Sequence, residues 1–484
     1  MKEGYIPQAQ RKKILLLCDD IRMTSGISTM AREIVIGTAH RFNWVNIGGA
    51  ITHPDKGKRF DLNADTNTNA GIEDASVYLY PIDGYGSPEL IRQMLQIEKP
   101  DAIMFFTDPR YWIWLFQIEH EVRKQIPMIY LNIWDDLPYP MYNKSYYESC
   151  DTLLAISKQT ENINRSVLGD VANEKIIKYV PHGINEKFFF PITTEHPEYL
   201  ALQEFKKQLY KGKEYDFTLL YNARNIRRKS VPDLMLAWKI FTDELPKEKA
   251  NKCALILHTQ RVDENGTDLN AVKDMIFGKD SDNIIFDENK YPTNIMNLLY
   301  NATDITALVS SNEGWGLSLT EAMMCGKPII ATVTGGMQDQ MKFVDENGEW
   351  IKFTEEFGSN HRGKYKKHGR WAYPIFPSNL SLVGSVPTPY IFDDRAEPFD
   401  IAEQIHNAYI NKTETPSVFE QDGKEAYAWV TSDESMMSAR LMCKNVIDGI
   451  EETFDKWQPR HSYELIKVEP LEQPHHFVKH VIAK

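Results

Sequence analysis

Two glutamates eight positions apart, Glu313 and Glu321, enclose a turn that contains Gly314 and Gly316. The apolar pattern after the turn predicts a helix that begins near Leu317. Unpaired backbone N–H groups and the helix dipole favour phosphate binding at such an N-terminus. The two carboxylates would repel a phosphate, but they suit sugar hydroxyl groups, which donate hydrogen bonds. The stretch therefore predicts a site for a phosphate and a sugar side by side.

The elements that must position these residues alternate between strand and helix patterns in two blocks. Such alternation predicts parallel, doubly wound sheets, which bind ligands at the carboxyl ends of their strands. The strands are predicted at residues 13–18, 44–47, 102–106, 128–132, 152–156 and 176–180, and at 217–222, 254–258, 283–286, 305–309 and 328–332. Helices are predicted at residues 88–97, 111–124, 198–210, 398–410 and 435–456.

The fold class is thus predicted to be α/β, with two Rossmann-like domains. We assign residues 1–195 to the first domain, 196–450 to the second and 451–484 to a C-terminal tail. Residues 353–390, rich in glycine, proline and basic side chains, interrupt the alternation. They are predicted to form an inserted loop or hairpin, most simply a solvated one.

Composition narrows the classes of protein that fit. The chain has 484 residues and a net charge of -13, which disfavours a protein whose whole surface grips nucleic acid. No apolar run approaches the length of a membrane span, and none near the start resembles a signal peptide. The five scattered cysteines indicate reduced thiols. We therefore expect a cytoplasmic protein.

Residues 313–328 read EGWGLSLTEAMMCGKP. They resemble the signature of glycosyltransferase family 4 and its GT-B relatives, E-G-[FW]-G-L-x-x-x-E-A-M-x-x-G-x-P. The resemblance implies that Glu321 holds the ribose of a nucleotide and that Glu313 contacts the transferred sugar. It also implies a donor site that includes the diphosphate-binding backbone and its neighbours, namely Gly314, Trp315, Gly316, Leu317 and Ser318. The implied fold is GT-B, with two Rossmann-like domains facing across a cleft.

Residues 222–230, NARNIRRKS, resemble the family's G-R-L…K-G segment. The match puts Arg224 and Lys229 in the two cationic positions, whereas Asn222 and Ser230 replace the usual glycines. Positioned cations stabilise the negative charge that a diphosphate gains as the glycosidic bond breaks. The resemblance therefore implies catalysis without a bound metal and with retention of the anomeric configuration.

Three further segments agree with this resemblance. Residues 151–157 and 180–189 are similar to the family's A-D-x-[VI]-[IL]-x-x-S and [VI]-P-N-G-[VI]-D-x-x-x-F segments. Gly26, within Ser-Gly-Ile, matches the N-terminal glycine turn that faces the donor phosphates across the cleft. Alone, Gly26 would also fit a tight turn before a helix.

The acceptor side departs from the family. A histidine usually follows the strand at residues 128–132, but this chain has Trp134, Asp135 and Asp136 there. A carboxylate can accept the proton that a hydroxyl nucleophile loses, or it can position a substrate while the departing phosphate takes the proton. We prefer Asp135, because Trp134 would shield it from water and raise its basicity, with Asp136 capping a turn and Asp108 as the next candidate. A buried aromatic beside a helix-capping pair is an equally good interpretation.

The predicted function is transfer of a hexosyl or pentosyl group from a UDP- or GDP-linked sugar to a hydroxyl acceptor, without cofactor or metal. The acceptor is a glycan, a glycolipid or a small metabolite. An alternative acceptor is a hydroxymethylated base in DNA, which the basic residues 362–370 and the aromatic residues 111–114 favour and the acidic net charge disfavours. The alternative of another class is a protein that binds a nucleotide sugar without transferring it. The oligomeric state stays open.

Overall fold

Two parallel sheets, one in each half of the chain, form the core of a computed structural model that describes residues 4–278 and 283–460. The strands of the first sheet are β1 (Lys12–Asp19), β2 (Phe42–Gly49), β3 (Phe60–Asp61), β4 (Val77–Pro81), β5 (Ala102–Phe106), β6 (Met128–Asn132), β7 (Thr152–Ala155) and β8 (Ile176–Tyr179). The helices of this half are α1 (Gly26–Thr38), α2 (Asn63–Ala70), α3 (Pro88–Ile97), α4 (Ile113–Gln117), α5 (Glu119–Val122), α6 (Lys144–Glu148) and α7 (Lys158–Leu168).

The first sheet has the order β3-β4-β2-β1-β5-β6-β7-β8, and all its pairs are parallel except β3 with β4. Helices cover both faces of such a sheet, so its central strands are apolar without alternation. Ile14, Leu15, Leu16 and Leu17 of β1 are accordingly all buried.

The second sheet has six strands, and all of them are parallel. Its strands are β9 (Phe217–Asn222), β10 (Cys253–His258), β11 (Ile284–Asp287), β12 (Ile305–Leu308), β13 (Ile329–Thr332) and β14 (Ala372–Ile375), ordered β11-β10-β9-β12-β13-β14. The helices are α8 (Tyr199–Leu209), α9 (Val231–Asp243), α10 (Lys247–Ala250), α11 (Leu269–Phe277), α12 (Thr293–Ala302), α13 (Leu317–Met324), α14 (Met337–Met341), α15 (Pro398–Glu414), α16 (Pro416–Val430) and α17 (Ala439–Lys456). A separate antiparallel hairpin consists of β15 (Asn379–Ser385) and β16 (Thr388–Arg395).

The last helix, α17, returns to the first half of the chain and packs on α1, β7 and β8. At Gly37 the two helices approach so closely that a β-carbon would lie 2.2 Å from Cys443 Sγ. All five cysteines are buried thiols that form no disulfide bond. Within the described ranges, no helix is both long and apolar enough to span a membrane.

The predicted insertion at residues 353–390 is only partly correct. Residues Ala372–Ile375 form β14, an edge strand of the second sheet, and the hairpin after it continues to Arg395. The predicted helix at 111–124 is divided between the 3₁₀ turn Pro109–Trp112 and two short helices, α4 and α5. In the tail assigned to 451–484, α17 runs to Lys456, and residues 461–484 lie outside the described part of the chain.

Candidate active site

The two sheets meet at the turn before α13, where loops from both halves of the chain come together. A β-carbon on Gly26, the first residue of α1, would lie 3.4 Å from Leu317 Cδ1, at the start of α13. A β-carbon on Gly314 would lie 3.1 Å from the carbonyl oxygen of Ile133, in the loop after β6. Gly26 therefore faces the N-terminus of α13 across the junction, and its predicted place opposite the donor phosphates stays a prediction.

Glu313 is the centre of a buried ionic cluster in this turn, with 8% of its surface exposed. Its Oε2 forms an ion pair with Lys229, accepts a hydrogen bond from Arg228 Nη1 at 3.1 Å and accepts another from Ser310 Oγ at 3.2 Å. Burial raises the pKa of this carboxyl, but Lys229 and Arg228 outweigh burial and bring the pKa to about 2. Glu313 is therefore ionised at any physiological pH.

The two cations assigned from the sequence, Arg224 and Lys229, lie in different environments. Lys229 lies in the cluster, where burial lowers its pKa against the opposing effect of Glu313. Arg224, the predicted partner, is instead 62% exposed in its side chain and paired with Asp263, with Nε and Oδ2 2.6 Å apart. The guanidinium beside Glu313 belongs to Arg228, which sequence reasoning did not select.

The local backbone explains how Arg228 reaches Glu313. Residues Arg227–Lys229 form a 3₁₀ turn that ends at Ser230, whose φ of 50° is in the left-handed region. Glycine adopts this conformation without strain, which accounts for the glycine expected at this position. The turn brings Arg228 and Lys229 together at Glu313, and the run of three consecutive cations was the signal available in the sequence.

Glu321 lies in α13 at the end of a hydrogen-bonded chain. The Tyr300 hydroxyl donates to Glu321 Oε2, and Asn222 Nδ2 donates to the Tyr300 oxygen at 2.6 Å. Burial raises the pKa of Glu321 to about 7, although the hydrogen bond from Tyr300 lowers it. This carboxyl thus changes charge near neutral pH, unlike Glu313.

A second glycine turn, which sequence reasoning missed, supports the first. Gly336 N donates to the carbonyl oxygen of Glu313 at 3.1 Å. A β-carbon on Gly335, whose φ is 48°, would lie 2.0 Å from the same oxygen. The Gly-Gly pair between β13 and α14 was the signal available in the sequence, because paired glycines mark close backbone approach.

The other predicted donor residues occupy distinct places. Gly316, with φ 88°, is the N-cap of α13, and Ser318 is buried in the first turn of that helix. Trp315 is buried and donates from Nε1 to Thr320 Oγ1 at 2.9 Å, while its ring contacts His182 edge-on. The Trp315 side chain therefore belongs to the packing between the two halves.

The loop after β6 places two half-buried carboxyls beside the Glu313 cluster. Burial raises the pKa of Asp135 to about 7; Arg228 and Lys229 lower it, and Glu313 raises it. Asp136 accepts a hydrogen bond from Asn312 Nδ2, and burial together with Asp135 raises its pKa well above the usual range. The side chain of Asp136 is therefore engaged across the junction with the residue before Glu313.

Two other predictions for this side can be placed. Trp134 is buried and donates from Nε1 to the carbonyl oxygen of Asp136 at 3.0 Å, so the indole braces the turn. Asp108 caps the 3₁₀ turn Pro109–Trp112 and pairs with Arg110, with Oδ2 and Nη2 2.6 Å apart. The Asp108 carboxylate is already paired with Arg110. Asp108 is therefore a weaker candidate than Asp135 for the acceptor-side group.

The β15–β16 hairpin crosses to the loop after β6. Phe392 N donates to the carbonyl oxygen of Leu137 at 2.5 Å, and Asn312 Nδ2 donates to the carbonyl oxygen of Phe392 at 2.6 Å. The Tyr142 hydroxyl donates to the carbonyl oxygen of Tyr390 at 2.9 Å. The hairpin therefore forms one wall of the site.

The basic residues that precede the hairpin are mostly engaged with their own neighbours. Lys364 lies over the ring of Phe357, and Lys366 lies over the ring of Phe376, 3.9 Å from its centroid. Arg370 pairs with Asp422 at 2.9 Å.

In residues 4–278 and 283–460, no three His, Cys, Asp or Glu side chains are grouped as a metal site.

Comparison with known proteins agrees with this geometry. Residues 203–357 match the family model of glycosyl transferases group 1. D-inositol 3-phosphate glycosyltransferase from Corynebacterium jeikeium is 51% identical over 39 residues, which are 8% of this chain and 9% of that protein.

Solved structures match over nearly the whole chain. The Anabaena protein Alr3699/HepE, in complex with UDP and glucose, has a TM-score of 0.61 and 13% identity, covering 91% of this chain and 100% of that one. Sucrose-phosphate synthase from Thermosynechococcus elongatus has a TM-score of 0.62 and 14% identity, covering 92% and 100%. The resemblance to GT-B glycosyltransferases is confirmed, and the narrower assignment to family 4 stays a prediction. The chain has the GT-B fold of two Rossmann-like units, and its residues 203–357 match the model of glycosyl transferases group 1.

Proposed function

We propose that this protein transfers a sugar from a UDP- or GDP-linked donor to a hydroxyl acceptor, with retention of configuration and without a bound metal. The observation that carries the proposal is the ionic cluster at the turn before α13, in which Glu313 and Lys229 are buried and Arg228 is partly exposed. It joins an anion-binding helix N-terminus, buried positive charge and a carboxylate that accepts hydroxyl donors. The neighbour solved with UDP and glucose supports a nucleotide sugar as the donor.

In the proposed reaction, the bond between the anomeric carbon and the β-phosphate oxygen breaks while a bond to the acceptor oxygen forms. Lys229 stabilises the charge that develops on the diphosphate. Arg228 keeps the Glu313 carboxylate ionised, and this carboxylate accepts a hydrogen bond from a hydroxyl group of the transferred sugar. The acceptor proton passes to Asp135 or to the departing phosphate, which leaves as part of the nucleoside diphosphate.

Glu321 is proposed to bind the ribose through its carboxylate. Arg224 is paired with Asp263, and its side chain is 62% exposed. Arg224 therefore contributes to diphosphate binding only when this ion pair breaks. In this arrangement Lys229 is the principal cation, and Arg224 is a secondary one.

The proposal is tested first by binding and then by turnover. UDP, GDP and their sugar conjugates should raise the thermal midpoint, because a ligand that binds only the folded state stabilises it. Release of UDP or GDP from the conjugate should persist in EDTA. Binding without any release would instead indicate a non-catalytic nucleotide-sugar-binding protein, and loss of release in EDTA with recovery in Mn²⁺ would contradict the absence of a metal.

The two glutamates provide the matched pair of variants. We expect Glu321→Gln to weaken nucleotide binding, because ribose contacts exist throughout the reaction. Glu313→Gln should chiefly lower kcat, because contacts to the reacting sugar change in the transition state. Unchanged kinetics in both variants would contradict the assignment of the site.

A further inference from the structure

A small enclosed cavity lies beside the Glu313 cluster, between the two halves of the chain. Polar side chains form most of its wall, namely Asp135, Asp136, Gln159, Asn312, Thr334, His361 and Asp394. The space accommodates a group of hydroxyl or water size, whereas a sugar ring or a phosphate is too large. Asn312 joins the cavity to the cluster, since Arg228 donates to its carbonyl oxygen at 2.6 Å.

Asp394 is the residue that the hairpin contributes to this cavity. Its side chain is fixed, because Oδ2 accepts a hydrogen bond from Thr334 Oγ1 at 2.6 Å and the backbone N donates to the carbonyl oxygen of Ser311. Asp394 is 6% exposed, and its Oδ1 has no hydrogen-bond partner within residues 4–278 and 283–460. An unpartnered buried carboxylate oxygen is costly, so the position is suited to a hydroxyl donor from a ligand.

Asp394 supplies the negative charge of the cavity wall at neutral pH. Burial raises the pKa of Asp394 to about 6 and that of Asp135 to about 7, and it raises the pKa of Asp136 well above the usual range. Burial together with Arg362 lowers the pKa of His361 to about 4, so its imidazole is uncharged. A hydroxyl group donates to the Asp394 carboxylate, whereas a phosphate or a second carboxylate is repelled by it.

We propose, building on the function proposed above, that Asp394 is a specificity-determining residue that binds a hydroxyl group of an uncharged sugar substrate together with Asp136. A substrate with a phosphate or carboxylate at the same position is excluded. Two sources present that hydroxyl group, the transferred sugar of the donor and the acceptor.

The test uses pairs of substrates that differ by one charge. UDP-glucose and UDP-glucuronate, measured by acceptor-free UDP release, report the donor arm. Glucose with glucose 6-phosphate, and myo-inositol with its 3-phosphate, report the acceptor arm, with UDP-glucose and GDP-mannose as donors. The proteins are the wild type, Asp394→Asn and the matched control Asp393→Asn, whose carboxylate is on the neighbouring residue and pairs with Arg395.

We expect the wild type to prefer the uncharged substrate over the charged one in the arm of the test, donor or acceptor, whose substrate contacts Asp394. Asp394→Asn should lower kcat/KM for that neutral substrate by about tenfold, the effect of one charged hydrogen bond, and should reduce the discrimination against the charged member. Asp393→Asn should behave as the wild type. Thermal unfolding of all three proteins shows whether folding is intact, and Asp394→Glu gives a second variant if Asp394→Asn is unstable.

Three results would overturn the inference: equal kinetics for the two asparagine variants, a preference of the wild type for the charged members, or no reaction with any neutral member. In the first two, retained nucleotide binding and donor turnover would leave the proposed transferase function standing, and in the third, nucleotide binding with turnover of UDP-glucuronate would do so. Failure to bind any nucleotide would count against that function itself.

Discussion

At the scale of single residues, the two glutamates of the signature have opposite electrostatic environments. Glu313 lies between Lys229 and Arg228, and its pKa is about 2, whereas Glu321 has no such cation and its pKa is raised to about 7 by burial. The sequence spacing predicts both as hydroxyl acceptors and does not distinguish them. The difference depends on which side chains surround each carboxyl, and it gives the site a group that titrates near neutral pH.

Nucleotide affinity should therefore depend on pH through Glu321. Its folded pKa lies above its ordinary value, so the protonated form favours the folded protein, and this contribution is lost as pH rises through about 7. Ribose hydroxyls donate to the carboxylate, so binding favours the deprotonated form. UDP or GDP affinity should rise about tenfold between pH 6 and pH 8, as measured by calorimetry. In Glu321→Gln the dependence should disappear, and its persistence there would assign the titration to another group.

Asp135 should control turnover rather than binding. Asp135→Asn should lower kcat at least about tenfold at saturating donor, because general-base effects commonly reach a hundredfold. In the wild type, kcat should rise as pH increases through about 7, where the Asp135 carboxylate forms. Asp136→Asn, the neighbouring control, should be milder because the amide oxygen still accepts from Asn312. Normal turnover by both variants would place the acceptor chemistry elsewhere.

At the scale of elements, the continuously apolar strands were predictable, whereas β3, β4 and β14 were missed. β1, β5 and β6 are buried on both faces, and their continuous apolar runs marked them in the sequence. β4 lies next to the two-residue edge strand β3 and alternates between buried and half-buried residues, and β14 stands in a glycine- and proline-rich setting that hides it. A strand that is only partly covered shows a weaker apolar run.

The cations near Glu313 show that the spacing of a motif does not determine which ion pairs its residues form. The five-residue interval selects Arg224 and Lys229, yet the turn Arg227–Lys229 directs Arg228 to Glu313 and leaves Arg224 with Asp263. Ion-pair partners depend on the turn's backbone and on side-chain conformations, which a motif does not specify.

This arrangement ranks the three cations. Lys229→Ala should cost about 2–4 kcal/mol of transition-state stabilisation, as does the loss of one electrostatic donor in other active sites. Arg228→Ala should also lower kcat/KM and destabilise the fold, because it removes one of the two cations paired with the buried Glu313 carboxylate. Arg224→Ala should have the smallest effect, and kcat/KM with the same donor measures all three. A loss for Arg224→Ala as large as for Lys229→Ala would show that Arg224 leaves Asp263 to reach the diphosphate.

At the scale of the whole molecule, the two halves are joined by a carboxyl that caps a helix of the other half. Asp339, in α14, accepts a hydrogen bond from the backbone N of Lys158 at 2.9 Å and another from the Tyr179 hydroxyl at 3.1 Å. Lys158 is the first residue of α7, so the contact stabilises an N-terminus that also has Ser157 as its cap.

Asp339→Ala should lower the free energy of unfolding by about 0.5–2 kcal/mol, the usual range for a lost helix cap. Urea denaturation measures the change, with Glu346→Ala as the exposed control from the same half. Limited proteolysis should also show earlier cleavage between the halves. Equal stability of the two variants would mean that other contacts hold the halves together.

The return of α17 to the first sheet has a consequence for the order in which the chain acquires its structure during synthesis. Residues 12–179, which supply the whole of that sheet, leave the ribosome long before Ala439–Lys456 do. Until then, the surface of α1, β7 and β8 that α17 covers stays open to water, including Gly37 and Thr152, whose hydroxyl is hydrogen-bonded to Thr453 in the finished protein. The N-terminal half is therefore translated first and closed last, and its uncovered apolar groove is the natural place for a chaperone to bind the nascent chain.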